Sequence, residues 1–282
     1  MLACWLYGCA CVWLMGWSSG LFATKSRGYP TRKQSACVVD LECGIHPPVI
    51  LAMTNSKGGV GKSSMAGHLA GWLYANQRTV ILVDCDAQCS SSEWIIEAAP
   101  SIQVVRLSNA DEVLDELPSL AQEAEFVICD GPGSQTETSR ALLMWADIAI
   151  IPTKASMFES RALAKNTAFV RQAQAIRKGP PHAIVVLSMV GKDYRLTKDM
   201  REAAIGLQLS VAKNAITLRQ AIADCPGQGK FCWELGFHAR DAAREMDALF
   251  REILPDVAND DFLTATKNRR HSQKQIHQLG GI

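Results

Sequence analysis

The sequence has almost no excess of charge of either sign. It carries 29 Lys and Arg against 28 Asp and Glu, a formal net charge of +1 over 282 residues. Residues 1–48 and residues 259–282 each hold four basic and two acidic side chains, which leaves 21 basic and 24 acidic in residues 49–258. A basic field over the whole chain is therefore excluded, and any nucleic-acid binding by the central region requires a local patch.

The ten cysteines lack the spacing of a structural zinc site. Five lie in the first 48 residues, and the central region holds Cys85, Cys89, Cys129, Cys225 and Cys232. Their spacings are C-x3-C and C-x6-C, without a CxxC pair or matching histidines. We therefore interpret them as small buried apolar residues of a protein in a reducing cytoplasm.

The sequence also lacks internal repeats and heptads, and residues 1–24 contain no charged side chain. About 22 apolar-leaning residues could span a bilayer, and the following basic residues, from Lys25 to Lys33, would keep the rest of the chain cytoplasmic. A cleaved signal peptide fits poorly because no basic residue precedes the apolar stretch. The favoured alternative is a start codon placed too far upstream, with Val49 rather than Met53 as a possible true start.

From Val49 onward the pattern becomes regular. Five short apolar runs predict strands: "VILAMTN", "TVILVDCD", "EFVICDGPG", "ADIAIIPT" and "HAIVVLSMV". Helical spacing predicts helices over 62–74, 111–124, 139–146, 159–176 and 241–253. Near-continuous apolar strands alternating with helices predict a single α/β domain over 49–258, with a mostly parallel sheet covered by helices on both faces. Residues 1–48 form an extension, and residues 259–282 form a polar tail expected to lack order.

One glycine-rich loop carries the clearest chemical signal. "GGVGKSS" follows a predicted strand, opens a predicted helix and completes GxxxxGK(S/T). Glycines allow backbone N–H groups to turn toward phosphate oxygens, and the positive end of the helix dipole adds to the attraction. We expect Lys62 to bridge the β- and γ-phosphates and Ser63 to place its hydroxyl on Mg²⁺.

Acidic residues follow two of the other strands. Asp130 ends "FVICD" and is expected to hold the water shell of the metal. Asp84 and Asp86 are two residues apart at the exit of another strand. If strand geometry continues, they share one face, which is costly unless a cation or a donor lies between them. One carboxylate near the metal and one near the attacking water would satisfy this arrangement.

In this order, "KGGVGKSS", "VDCDAQ", "ICDGPG" and "IIPT" resemble the ParA/MinD family of deviant phosphate-loop ATPases. The likeness covers about residues 49–254 and is greatest to small plasmid-partition ATPases of the ParF kind. It implies an α/β fold of the P-loop NTPase type, ATP and Mg²⁺ as cofactors, and slow ATP hydrolysis that a partner protein stimulates.

The resemblance also implies a role for each matching residue. Lys57 matches a signature lysine that reaches the phosphates of the partner subunit in a nucleotide-sandwich homodimer. Asp86 matches the aspartate that positions the hydrolytic water, and Asp84 and Asp130 match acidic residues around the magnesium. The segment 152–157, with Pro152, matches a region near the adenosine. The phosphate-binding loop is matched by Gly58, Gly59, Val60, Gly61, Lys62, Ser63 and Ser64.

Two positions depart from the family pattern. Ala87 stands where the family usually has proline before the glutamine of the second motif. The third motif reads Asp-Gly-Pro-Gly over 130–133, where the family often has Asp-x-Pro-Pro. Neither departure removes a catalytic group, but both affect loop rigidity and therefore the expected hydrolysis rate.

The first functional hypothesis is plasmid or chromosome partition by a cytoplasmic, nucleoid-associated protein. The ATP-bound dimer would bind DNA non-specifically, and a centromere-bound partner protein would trigger hydrolysis and release. An ordinary solvated face explains the candidate basic residues equally well. The candidates are Lys192, Arg195, Lys198, Arg201 and Arg219.

Other members of the family suggest alternatives. One is an accessory ATPase of conjugal transfer, and another is a membrane-associated positioning ATPase of the MinD kind. The C-terminal tail has too few large apolar residues for a membrane-binding helix, so the second requires residues 1–24 to be native. The metabolic relatives fit less well, because cluster cysteines and room for a glutaminase domain are both missing.

Overall fold

The buried apolar runs form the centre of one parallel sheet. A computed structural model describes residues 47–134, 136–191 and 195–257. The seven strands run in the order β3-β2-β4-β1-β5-β6-β7, and every neighbouring pair is parallel. The strands are β1 (Val49–Met53), β2 (Val80–Asp84), β3 (Gln103–Arg106), β4 (Phe126–Asp130), β5 (Ile148–Lys154), β6 (His182–Ser188) and β7 (Ser210–Val211).

Helices connect these strands, as a parallel sheet requires. In the described residues they are α1 (Lys62–Ala75), α2 (Ser90–Ala98), α3 (Ala110–Leu120), α4 (Glu137–Trp145), α5 (Met157–Arg177), α6 (Arg195–Gly206), α7 (Gln220–Gly227) and α8 (Arg240–Ile253). Two 3₁₀ turns, Cys232–Glu234 and Phe237–Ala239, precede α8.

The central strands are mostly apolar because helices cover both faces of the sheet. Along β1, Leu51 and Met53 lie in the apolar cluster under α1, α2 and α8, whereas Ile50 and Ala52 lie in the cluster under α3 and α4. Successive side chains of a strand point to opposite faces, so a strand buried on both sides is apolar up to its carboxyl end, where Asp84 and Asp130 are the polar residues of β2 and β4. The predicted fold, a single α/β domain with a parallel sheet between helices, is confirmed.

The helix α1 packs unusually close to its neighbours. A Cβ atom on Gly67 would lie 2.3 Å from the Trp94 ring, and one on Gly71 would lie 2.4 Å from the Phe231 ring. Trp72 is fully buried and donates from Nε1 to Asp247 of α8 at 2.9 Å. These contacts fix the helix that carries the phosphate loop at its N-terminus.

Several sequence-based boundaries were wrong by a few residues, and two strands were missed. The helix predicted over 111–124 ends at Leu120, and the one predicted over 139–146 begins at Glu137, after Thr136 accepts from the Ser139 N–H at 3.3 Å. Strand β3 is partly exposed and β7 has two residues, so neither shows a buried apolar run.

The parallel register brings the site residues together at the carboxyl ends of the central strands. Asp130 pairs in register with Met53 on one side and with Asp84 on the other. The carboxyl ends of β1, β2 and β4 therefore meet, and the loops that follow them are neighbours. Ligands of open parallel sheets bind at this edge.

Two further expectations concern composition. Cys85, Cys129, Cys225 and Cys232 are free and buried, as expected, while Cys89 is free and half-buried. No helix within the described part of the chain is long and apolar enough to cross a membrane. The proposed anchor, residues 1–24, and the polar tail, residues 259–282, lie outside the described residues.

Candidate active site

The glycine-rich loop links β1 to α1 and takes a conformation that suits glycine. Gly59 and Gly61 have φ angles of 70° and 94°, in the left-handed region that other residues rarely adopt. Gly61 is the N-cap of α1 and has no side chain that could cap the N–H groups of the first turn. Such a turn before a helix N-terminus forms a cradle for phosphate.

The loop is anchored to the neighbouring strands. The Ser188 hydroxyl at the end of β6 donates to the carbonyl of Val60 at 2.7 Å, and Val60 is fully buried. At the start of the loop, the Thr54 N–H donates to the Ile150 carbonyl of β5 at 2.9 Å. Val60 therefore holds the loop in place by backbone and packing contacts.

The two lysines of the loop lie in different environments. Lys62 is 5% exposed, lines the central cavity and donates from Nζ to the carbonyl oxygen of Lys57 at 3.1 Å. Lys57 is exposed, and its backbone N–H donates to the side-chain oxygen of Asn55 at 3.0 Å. One lysine thus lies inside the site and the other at its outer surface.

Asp84 and Asp86 do not share a strand face, because β2 ends at Asp84. Strand geometry therefore does not continue to Asp86, as the expectation of a shared face required. Hydrogen bonds hold the two carboxylates instead. Asp84 accepts from the N–H groups of Asp86 at 3.0 Å and Ser92 at 2.8 Å. Asp86 accepts from the N–H of Gly133 at 3.0 Å and so joins the second motif to the third.

Asp130 is the most perturbed carboxylate of the site. It is fully buried, and neither of its oxygens has a hydrogen bond of ordinary geometry among the described residues. The pKa of Asp130 is raised to about 7, mainly by burial and also by the negative charge of Asp84, while nearby Ser63, Ser91 and Lys62 oppose the rise. Removing a carboxylate from water disfavours its charged form unless a cation compensates.

These residues fit a magnesium ion. The donor set consists of oxygens: a buried carboxylate with no well-formed hydrogen bond to the described residues, a serine hydroxyl beside it, and a second carboxylate in register. Mg²⁺ prefers oxygen ligands and is commonly held by one or two carboxylates together with substrate phosphates. Asp130, Ser63 and Asp84 are the residues that would hold the ion or its water shell.

A cavity of about 920 Å³ opens at this edge of the sheet. Its walls are the phosphate loop, the segment from Asp84 to Ser90, the third-motif loop and the segment from Arg106 to Ser108. Among the predicted phosphate-site residues it is lined by Gly58, Gly59, Gly61, Lys62, Ser63, Ser64, Asp84 and Asp86. The structure therefore brings these residues together around one space large enough for a nucleotide.

A smaller cavity of about 110 Å³ adjoins the first and shares Gly61, Ser64 and Met189 with it. Pro152, predicted to lie near the adenosine, lines neither cavity. It is a buried residue of β5 whose carbonyl accepts from the Asn55 amide at 2.7 Å. In a single subunit Pro152 thus supports the phosphate loop, and its role toward a nucleotide stays a prediction.

The three candidate DNA-binding residues whose side chains the structure describes have different surroundings. Arg219 pairs with Glu245 at 2.7 Å, and Arg201 donates to the Ala212 carbonyl at 2.9 Å. Lys198 is largely exposed and lies 3.9 Å from Glu202. Lys192 and the side chain of Arg195 lie outside the described residues, so the DNA-binding role of all five stays a prediction.

Sequence reasoning missed three residues of the site. Arg106 lines the large cavity and donates from Nε to the Ser92 hydroxyl at 2.8 Å. Asn55 and Asn166 form a buried amide pair beneath the phosphate loop. Only Asn55 carried a signal, because it lies two residues before Lys57; Asn166 lies 111 residues away along the chain.

Comparison with known proteins adds two kinds of relative. The chain is 26% identical over 212 residues to the maintenance of carboxysome distribution protein A of Halothiobacillus neapolitanus, covering 73% of this chain and 96% of that protein. Its fold is similar to that of apo McdA from Cyanothece, with a TM-score of 0.61, 16% identity, and 73% of this chain and 99% of that chain covered.

A second solved structure is a putative plasmid partition protein from Borrelia burgdorferi bound to AMPPNP. Its TM-score is 0.58 at 18% identity, with 73% of this chain and 98% of that chain covered. The family model described as the CobQ/CobB/MinD/ParA nucleotide binding domain matches residues 51–231. The match spans the phosphate loop, both acidic motifs and the sheet from the third residue of β1 onward, which is more than half of the chain. The chain therefore belongs to the CobQ/CobB/MinD/ParA nucleotide-binding family.

Proposed function

We propose that this protein is an ATPase that acts as a switch, dimeric with ATP and separating after hydrolysis. The observation that carries the proposal is the divergence of the two loop lysines. Lys62 is buried in the cavity, whereas Lys57 is exposed at the outer surface of the same loop. In this proposal Lys62 meets the phosphates of its own subunit, and Lys57 meets those of a second copy.

Hydrolysis in this proposal uses residues that line the cavity. Asp86 orients the attacking water, and its bond to Gly133 keeps its carboxylate at the third-motif loop. Lys62 and the N–H groups of the loop stabilise the charge on the phosphoryl oxygens. When bound, Mg²⁺ would neutralise phosphate charge, held by Ser63 and the carboxylates of Asp84 and Asp130.

The switch follows from sharing the site between subunits. A lysine supplied in trans acts like an arginine finger, because it neutralises charge that develops on the transferred phosphoryl group. The attraction between Lys57 and the γ-phosphate exists only while ATP is intact and both subunits are present. Loss of the γ-phosphate therefore weakens the dimer, and slow hydrolysis makes the dimer last until a partner protein accelerates the reaction.

We further propose that the ATP-bound dimer binds DNA without sequence preference and segregates a plasmid or chromosome. The likeness to the putative partition protein supports this role, and the fold of that protein covers most of the described residues. With a central region of net negative charge, contact with DNA needs a patch that forms on the dimer. Lys198 is the described candidate with the most exposed side chain, at 80%.

A second cargo is favoured by a specific comparison. The protein of Halothiobacillus neapolitanus that this chain resembles is named for carboxysome distribution, and this chain covers 96% of it. The same ATP switch would then act in the distribution of a carboxysome rather than of a plasmid. The two roles differ in the partner that stimulates hydrolysis.

The test measures binding of random-sequence duplex DNA to the full-length protein with ATP and Mg²⁺, with ADP, and without nucleotide, across a salt series. We expect DNA binding only in the presence of ATP and Mg²⁺. The logarithm of the affinity should fall linearly with the logarithm of the salt concentration. Lys198→Ala is expected to reduce the salt slope by about 0.9, the value for one lost phosphate contact. Binding that ignores the nucleotide, or no binding at all, contradicts the proposal, and binding to lipid vesicles instead would favour the membrane-positioning alternative.

A further inference from the structure

Two asparagines lie beneath the phosphate loop and bind to each other. Asn55 and Asn166 are 2% and 3% exposed, and the Asn166 amide nitrogen donates to the Asn55 side-chain oxygen at 3.1 Å. Asn55 precedes the loop, whereas Asn166 lies in the middle of α5. Buried amides are costly unless their donors and acceptors are satisfied, so a pair at this position requires a reason.

The pair is bonded to two backbone N–H groups of the lysine-bearing turn and to one backbone carbonyl of β5. The Asn55 oxygen also accepts from the Lys57 N–H at 3.0 Å, and the Asn166 oxygen accepts from the Ser56 N–H at 3.1 Å. The Asn55 amide nitrogen donates to the Pro152 carbonyl at 2.7 Å. Four hydrogen bonds thus connect two consecutive N–H groups of the loop to β5 and to α5.

These bonds act on the segment that most needs an external restraint. Ser56 and Lys57 lie between β1 and the glycines, and the glycines that follow take backbone conformations open to few other residues. Glycine imposes little conformational preference of its own, so it does not hold the preceding turn. The direction in which the Lys57 side chain leaves the loop therefore depends on how its own N–H and that of Ser56 are held.

We propose that Asn166 is a positioning residue for Lys57. Through its bonds to Ser56 and Asn55 it fixes the turn so that the lysine projects toward a second subunit. This inference rests on the proposed function and deepens it, because it assigns the geometry of the trans lysine to a residue of α5. Lys62 also contacts this turn, through its Nζ bond to the Lys57 carbonyl, but its own backbone belongs to α1. We therefore expect loss of the clamp to weaken dimer formation more than nucleotide binding by one subunit.

The test compares Asn166→Ala and Asn166→Asp with the control Thr167→Val in the full-length protein. Thr167 is also buried and is the next residue of α5, but its hydroxyl donates to Leu163 within the same helix. Asn166→Asp keeps the size of the side chain and its acceptor, and loses the donor to Asn55. It keeps the test meaningful where the alanine variant fails to fold, and thermal unfolding monitors folding in each case.

Two quantities are measured: the affinity for ADP and Mg²⁺ by calorimetry, and the ATP-dependent dimer dissociation constant by sedimentation. Loss of a buried hydrogen-bond partner predicts a dimer dissociation constant at least about tenfold higher in both Asn166 variants, with ADP affinity within about threefold of wild type. Thr167→Val is expected to match wild type in both. Wild-type dimerisation in the Asn166 variants, or an equal loss of ADP affinity, overturns the inference.

A double-mutant cycle of ATPase rates, which combines Asn166→Asp with Lys57→Ala, separates the two proposals. If Asn166 acts through Lys57, then Asn166→Asp lowers the ATPase rate of the wild type but not that of Lys57→Ala. A further loss in the Lys57→Ala background contradicts the positioning role and leaves the proposed function intact. Unchanged dimerisation and ATPase in Lys57→Ala alone instead contradicts the proposed function, whatever the Asn166 variants do.

Discussion

The carboxylate of Asp86 accepts a hydrogen bond from the backbone N–H of Gly133 at 3.0 Å. This contact joins the loop after β2 to the loop after β4, and both loops line the large cavity. A Cβ on Gly133 would contact the Gly58 Cα at 3.5 Å, so the third-motif loop lies directly against the phosphate loop. Any change in the phosphate loop is thus passed to the residue proposed to orient the water.

The first prediction concerns the two functions of Asp86. Asp86→Ala removes both the group that orients the water and the acceptor for Gly133, whereas Asp86→Asn keeps an acceptor oxygen. We expect both variants to lose ATPase activity by about 10²–10⁴-fold, the usual contribution of a positioned base. ATP affinity should stay near wild type in Asp86→Asn. Substantial ATPase activity in either variant would show that another group orients the water.

The second prediction concerns Asp130, whose buried carboxylate lacks a hydrogen-bond partner among the described residues. Because the pKa in the folded protein is about 7 and the unfolded value is near 3.8, ionisation costs stability as the pH rises from about 4 to 7. Asp130→Asn should therefore raise the free energy of unfolding of the nucleotide-free protein at pH 8, by up to roughly 4 kcal/mol. The gain should shrink as the pH falls toward 4.

The same Asp130→Asn variant should lose Mg²⁺-dependent ATPase activity, because an amide does not compensate the charge of the cation. Urea unfolding at pH 8 and pH 4.5, together with an ATPase assay over a magnesium series, measures both effects. A variant that is less stable than wild type at pH 8 would contradict the assignment of Asp130 as a destabilising carboxylate kept for its role in the site.

The third prediction concerns His68, which is fully buried in α1. Its Nδ1 donates to the Ser64 carbonyl at 2.7 Å, and its Nε2 accepts from the Cys232 N–H at 3.3 Å, which requires the neutral ring. Burial lowers the pKa of His68 to about 4, although the bond to Ser64 opposes the shift. Since the unfolded state protonates near pH 6.5, this group removes stability as the pH falls from about 6.5 to 4.

The expected loss is roughly 3 kcal/mol over that interval. His68→Gln does not titrate there, so the difference in unfolding free energy between wild type and variant should be greatest at pH 7 and shrink by that amount at pH 4. Urea titrations at three pH values test this. A difference that does not change with pH would mean that His68 is not protonated on unfolding in this range.

The fourth prediction concerns the close packing of α1. Gly71→Ala places a methyl group 2.4 Å from Phe231, a contact that forces the ring or the helix to move. Overpacking of this kind costs about 1–3 kcal/mol, which exceeds the gain of roughly 1 kcal/mol from replacing glycine in a helix. Gly227→Ala is the matched control, because a Cβ there meets nothing within 4 Å. Denaturant midpoints should fall for Gly71→Ala alone; equal midpoints would contradict the packing.

The sequence predicts the centre of this fold better than its edges. Strands β1, β2, β4, β5 and β6 are buried on both faces, so their apolar runs are distinctive. Strand β3 begins and ends with exposed residues, and β7 consists of Ser210 and Val211, so neither carries that pattern. Edge strands are defined by their pairing with the sheet, which a single sequence does not display.

The site residues also differ in how well the sequence predicts them. The glycine loop and its lysines are contiguous and therefore recognisable, and Asp84, Asp86 and Asp130 each follow an apolar run. Asn166 and Arg106 belong to the site only because the fold brings α5 and the end of β3 to it. For Arg219 the sequence shows a basic residue but not its ion pair with Glu245, and its role toward DNA stays a prediction.

The final prediction concerns the central claim, that Lys57 completes the site of a second subunit. Lys57→Ala removes an exposed side chain of the loop and leaves the buried Lys62 in place. Lys178→Asn is the matched control: it removes one exposed lysine just before β6, at the opposite edge of the sheet, and asparagine tolerates the positive φ there.

The most direct measurement is sedimentation velocity of wild type, Lys57→Ala and Lys178→Asn with ATP and Mg²⁺ and with ADP and Mg²⁺. The account predicts that wild type and Lys178→Asn are dimers with ATP and monomers with ADP, and that Lys57→Ala binds nucleotide yet stays monomeric with both. A Lys57→Ala protein that dimerises with ATP as strongly as wild type would contradict it.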